Sequence, residues 1–140
     1  MEKLMAQAHV LVGGEAEGEA LVLPEPLSFW GGLDPQSGAI IDQRHPSLGE
    51  HVTGRVLVLP IGRGSSSASS ILLEAVRVGT APAAIITAEP DAILALGAAV
   101  AREMYANSPP VVVLPKPDYD RLQSGMWAHL SESGLLTVGD

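Results

Sequence analysis

The 140-residue sequence has no cysteine. Disulfides, thiolate catalysis, zinc–thiolate sites and any iron–sulfur cluster ligated by this chain's own thiolates are therefore excluded. Basic residues are also scarce: eight Lys and Arg stand against sixteen Asp and Glu, for a net charge near −8. Such a surface repels phosphate backbones and anionic lipid, which argues against nucleic-acid and membrane-surface partners. Long apolar runs are missing too. The longest, around Ala92 to Ala101, is too short to cross a bilayer and reads as a core helix. The first dozen residues lack a cationic region and a small-residue cleavage site, so the expected location is the cytoplasm.

What is present is aliphatic. Hydrophobic types make up 46% of the chain, enough for one domain that buries about two-thirds of its unfolded surface. His9–Val12 and Glu19–Leu23 are β-type runs separated by glycines, read as a hairpin or as two consecutive sheet strands. Asp34-Pro35-Gln36-Ser37-Gly38 is a turn by its own chemistry, with Asp leading, Pro fixing φ and Gly closing. Arg44–Gly54 is polar and reads as a loop. From residue 55 the pattern becomes regular. Arg55–Pro60, Ala83–Thr87 and Val111–Leu114 are buried strands, separated by helical segments around Ile71–Val76 and after Pro90-Asp91. Gly79, followed by Pro82, stops the first of these helices. Strand–helix–strand–helix–strand favours right-handed parallel crossovers. Leu135–Val138 reads as a closing strand.

The most informative segment is Gly62-Arg63-Gly64-Ser65-Ser66-Ser67-Ala68-Ser69-Ser70, at a strand-to-helix junction. Two glycines let backbone approach a ligand. Serines at a helix start are expected to cap its N–H groups, and the same end attracts carboxylate or phosphate. Sharper motifs fail. A dinucleotide fingerprint would need Gly where Ser67 stands, no Gly-Lys-Ser/Thr triplet exists, and a nucleophile elbow centred on Ser66 would end on Ala68 in too short a chain. Five serines in six residues exceed what a cap needs.

The loop does not stand alone. Phe29-Trp30-Gly31-Gly32-Leu33-Asp34-Pro35, Ser37-Gly38 and Ile40-Ile41-Asp42 precede it, and Ala81-Pro82-Ala83-Ala84-Ile85-Ile86 follows. In that order, from about Gly18 to Leu114, the chain resembles the small subunit of the aconitase X family. The resemblance implies an α/β fold, a swivelling β/β/α three-layer unit, with residues 1–140 forming a single swivelling domain and the small subunit of a two-subunit dehydratase. It further implies that this chain binds no cofactor and that a large, cluster-bearing subunit supplies the iron–sulfur cluster. By analogy with aconitase, Ser65 would be the catalytic base, with Arg63, Gly64, Ser66 and Ser67 binding substrate. A serine is a poor base unless its alkoxide is stabilised, and helix N–H groups with Arg63 would lower that cost.

Two branches of the family offer two substrates. The serine run, the Phe-Trp pair, the tail with Trp127 and the shortage of bases favour cis-3-hydroxy-L-proline over phosphomevalonate. A non-catalytic anion-binding module is the competing class. Phosphohistidine transfer is not, because the loop has no histidine. Phe29 and Trp30 fit either ordinary core or a roof facing the partner. His45 and His51, six apart without a matching carboxylate, read as surface or interface histidines rather than metal ligands. His9 and His129 read as structural.

Overall fold

The computed structural model describes residues 3–63 and 66–139. Eight strands run in chain order as β1 (Leu4–Gln7), β2 (His9–Val12), β3 (Ala16–Val22), β4 (Val56–Leu59), β5 (Ala84–Thr87), β6 (Val111–Val113), β7 (Trp127–Leu130) and β8 (Leu135–Gly139). The helical elements are a kinked turn α1 (Phe29–Gly32), the long helices α2 (Ser67–Val78) and α3 (Ala92–Tyr105), and a short α4 (Lys116–Tyr119).

The spatial strand order is β1-β8-β7-β3-β4-β5-β6-β2. Its two ends, β1 and β2, are consecutive in sequence and separated only by Ala8, so the sheet curls almost into a barrel. β3 makes the opposite corner. Its first half, Ala16–Glu19, pairs antiparallel with β7, and its second half, Ala20–Val22, pairs parallel with β4. The β4–β5–β6 ladder is parallel throughout, with α2 and α3 as crossovers, which matches the sequence expectation. Of the two readings of β2 and β3, the hairpin does not form and the consecutive sheet strands do. β2 instead pairs antiparallel with β6, and its apolar residues face a neighbour about a hundred positions away.

Alternation along the strands builds the three layers. Val56, Val58, Ala84, Ile86 and Val112 point into the curled sheet, against Leu4, Leu130, Leu136 and Val138. Leu57, Leu59, Ile85 and Val111 point the other way, against Leu72 and Val76 of α2 and Leu94, Ala98 and Ala101 of α3. With both faces covered, the parallel strands read as continuous apolar runs rather than alternating ones. Gly79 ends α2 in the left-handed conformation, its N–H bonded to the Ala75 and Val76 carbonyls. The fold is α/β, with sheet, sheet and helix layers.

Candidate active site at the end of strand β4

β4 delivers the chain to Pro60, and the following loop is tied down on two sides. The Arg63 N–H donates to the Leu27 carbonyl at 3.2 Å, and Leu27 and Gly62 form a parallel bridge. On the other side the Gly62 N–H donates to Asp91 Oδ2 at 2.8 Å. Asp91 Oδ1 accepts the Leu94 N–H at 3.0 Å and so caps α3. One buried carboxylate, 7% exposed, thus joins the start of a helix to a loop 29 residues upstream. A Cβ at 62 would stand 2.5 Å from Asp91 Oδ2, so any other residue there must push that carboxylate aside.

Beside this clamp lies an open cavity of about 240 Å³. Leu27, Phe29, Ala68 and Leu94 supply apolar wall, while Arg63 and Asp91 are the charged residues lining it. The two acidic oxygens are already engaged with backbone N–H groups, whereas Arg63 is exposed. The cavity sits at the carboxyl end of a parallel strand, where open α/β sheets place their ligands.

The loop-to-helix junction differs in one respect from the sequence reading. Ser66 occupies the N-cap position of α2, but with φ −58° and ψ −16° it is already helical and its side chain makes no capping bond. A cap needs extended backbone so that the side chain folds over the first N–H groups; Asp91, at φ −124° and ψ 96°, has that geometry and Ser66 does not. Ser69 Oγ donates instead to the Ser66 carbonyl at 2.7 Å, within the first turn. Ser67 is half-buried at the start of α2. Gly64 and Ser65 lie outside the described residues.

Other singled-out residues divide cleanly. Phe29 is core at 1% exposure, while Trp30 next to it is 59% exposed; they do not act as a pair. Asp34 is the expected turn-former, accepting from the Gln36 N–H at 3.0 Å and from Ser37 Oγ at 2.9 Å. His51 is exposed, but His45 is buried, contrary to the expectation of a surface or interface histidine. Its Nδ1 accepts the Ser47 N–H at 3.0 Å, so Nε2 carries the proton and donates to the Glu25 carbonyl at 3.2 Å. His45 therefore pins the loop 44–54 to the segment after β3. His9 lies exposed in β2, and His129 of β7 sits 3.4 Å from Glu15.

Sequence reasoning missed Asp91 as part of the site. The Pro90-Asp91 pair ahead of an alanine-rich helix carries the cap signal, but its second partner is a tertiary contact. Among the described residues no three His, Asp or Glu side chains gather as a metal site, and the chain has no cysteine. The residues here thus do not fit a cluster or metal centre. No helix among them is long and apolar enough to cross a membrane.

Comparison with known proteins bears on the fold and the family. The chain is 48% identical over 136 residues to the cis-3-hydroxy-L-proline dehydratase of Pseudomonas aeruginosa, covering 94% of this chain and 23% of that protein. It therefore spans about a quarter of the length of that relative. It is 34% identical to the phosphomevalonate dehydratase small subunit of Methanosarcina acetivorans, covering 89% of this chain and 83% of that one. The crystal structure of Thermococcus kodakaraensis aconitase X in its holo-form superposes with a TM-score of 0.87 at 32% identity, over 98% of this chain and 99% of the matched chain. The family model described as the aconitase X swivel domain matches residues 5–138, and with these likenesses at fold and sequence level the chain belongs to the aconitase X swivel domain family.

Proposed function

We propose that this chain is the swivelling part of an aconitase X type hydro-lyase, active only when joined to a larger, cluster-bearing polypeptide in the cytoplasm. Its substrate is a small 3-hydroxy acid, cis-3-hydroxy-L-proline. The observation that carries this reading is the open cavity at the carboxyl end of β4, lined by Gly62, Arg63, Ala68 and Asp91. The 48% identity to a cis-3-hydroxy-L-proline dehydratase over nearly the whole chain supports the substrate. Phosphomevalonate is the second choice, supported by the Methanosarcina relative.

The two acids share one reacting unit, a carboxylate with a hydroxyl on the β carbon, and differ at the far end. In the proposed step Ser65 takes the α proton. The electron pair of that C–H bond becomes the new C=C bond, the β C–O bond breaks with its electron pair leaving on hydroxide, and the hydroxide together with the proton taken by Ser65 makes up the water lost. Negative charge builds on the substrate carboxylate as the proton leaves. Arg63, exposed and on the cavity rim, faces that charge, and Ser66 and Ser67 at the head of α2 add hydroxyl donors there. The same positive environment lowers the cost of ionising the Ser65 hydroxyl. No metal step is derived from this chain, since its residues do not fit one.

The test is turnover by the assembled enzyme of cis-3-hydroxy-L-proline and of phosphomevalonate, with wild type and Ser65→Ala. We expect water loss from the hydroxyproline, abolished at least 10³-fold by Ser65→Ala with assembly intact. Turnover of phosphomevalonate alone reverses the substrate, and near-normal activity in Ser65→Ala removes the catalytic serine. Binding of the acids without turnover by the wild-type assembly would leave a non-catalytic anion-binding module.

A further inference from the structure

Asp91 has two obvious readings in a dehydratase. It lines the cavity, so it invites assignment as an acid or base. The geometry points elsewhere. Oδ2 accepts the Gly62 N–H at 2.8 Å and Oδ1 accepts the Leu94 N–H at 3.0 Å. Both oxygens are spoken for by backbone, the residue is 7% exposed, and no ion pair to Arg63 forms among the described residues. A carboxylate so held is a strut, and charge-assisted bonds of this kind are roughly twice as strong as neutral ones.

We propose that Asp91 is a positioning residue for the reaction, holding the Gly62–Arg63 stretch at a fixed distance from the head of α3 so that the residues after it meet the substrate correctly. This rests on the reading of the loop given under Proposed function. The clamp has a built-in partner. A Cβ at Gly62 would stand 2.5 Å from Asp91 Oδ2, so any side chain there must displace the carboxylate from the loop. The Leu27–Gly62 bridge and the Arg63 to Leu27 bond fix the opposite side of the same two residues. The loop is thus restrained laterally between two elements just before its catalytic portion. Proton transfer is intolerant of displacement, and an ångström of misplacement costs about 10²-fold in rate. Attraction between Arg63 and a carboxylate falls off far more gently with distance.

That contrast gives the test. In Asp91→Asn one oxygen remains an acceptor, and Asn caps helices as well as Asp, but the amide NH₂ must oppose one of the two N–H groups. For the full assembled enzyme we expect kcat to fall about 10²-fold, with KM within threefold and the thermal midpoint within a few degrees. Amide hydrogen exchange at Gly62 should accelerate. Gly62→Ala, which pushes on the intact carboxylate, should give the same kcat loss. The double variant should be no worse than the poorer single one, because both break one contact. Wild-type kcat, within twofold, in Asp91→Asn overturns the proposal, as does a loss confined to thermal stability and folded yield. If Asp91→Asn does not fold, Gly62→Ala decides by the same criteria. Ser65→Ala, run alongside, separates the two ideas: activity surviving in it sinks the catalytic reading, whereas an inactive Ser65→Ala beside an unaffected Asp91→Asn sinks only the clamp.

Discussion

Gly97 of α3 lies directly against Ser69 of α2: a Cβ on Gly97 would stand 3.0 Å from the Ser69 carbonyl oxygen and 3.1 Å from its Cα. The helix that Asp91 caps therefore also supports the first turn of the helix that carries the serines. In an exposed helix, Gly→Ala gains about 1 kcal/mol from backbone entropy. Here crowding offsets that gain, and Gly97→Ala should leave stability within about 1 kcal/mol of wild type. Gly97→Val adds volume that cannot be accommodated and should cost about 1–3 kcal/mol. Urea unfolding of both variants checks the pair; a stabilised Gly97→Val would show that the two helices have room to part.

Tyr119 is buried at the bottom of the curled sheet, and its hydroxyl finds no hydrogen-bond partner among the described residues. Burial, aided by nearby Asp120, pushes its pKa up to about 12. Below pH 10 both folded and unfolded chains keep the phenol neutral and nothing is lost. Above it the unfolded chain ionises first, so stability should drain away as pH rises from about 10 to about 12. Tyr119→Phe removes the unpaired hydroxyl and should be neutral or stabilising by about 1 kcal/mol, with part of the alkaline loss abolished. Thermal melts from pH 8 to 11 measure both effects.

Glu74 and Arg77 sit one turn apart on α2, with Arg77 Nε and Nη2 donating to the two carboxylate oxygens at 2.7 and 2.6 Å. Hydrogen bonding by Arg77, helped by Gln36, holds the Glu74 carboxyl down to about 2. Because this pKa is depressed, whatever the pair contributes is present above the usual carboxylate range and is lost only as pH falls towards 2. The pair is largely solvated, so its effect on stability should be small and salt-sensitive. An NMR titration should find the Glu74 midpoint near 2 and return it to the ordinary range in Arg77→Ala. An unchanged midpoint in that variant would mean the fork does not persist in solution.

The sequence made the parallel half of the fold legible for a simple reason. Strands covered on both faces, such as Val56–Leu59 and Ala84–Thr87, appear as unbroken apolar runs with glycine and proline at their ends. Leu4–Gln7 and Trp127–Leu130 carry no such signal. Each is four residues long with one face solvated, too brief for alternation to stand out. Their pairing also depends on closure between the two ends of the chain. The site was half legible. Composition marked the Gly62–Ser70 loop, and the order of the flanking motifs gave the family. Ser66 makes no cap and His45 is no surface group, since neither the backbone angles of the one nor the burial of the other follows from local sequence. The same holds for the second oxygen of Asp91, whose partner no local pattern can reveal.

The bent N-terminal strand that serves β8 with one half and β6 with the other has a consequence for assembly. Nearly every long run of main-chain donors and acceptors in the sheet is spent within the chain, leaving only short, kinked rims. A second polypeptide cannot readily extend this sheet by adding a strand. A polypeptide that docked on this sheet would meet side chains and loop tips rather than a free strand edge.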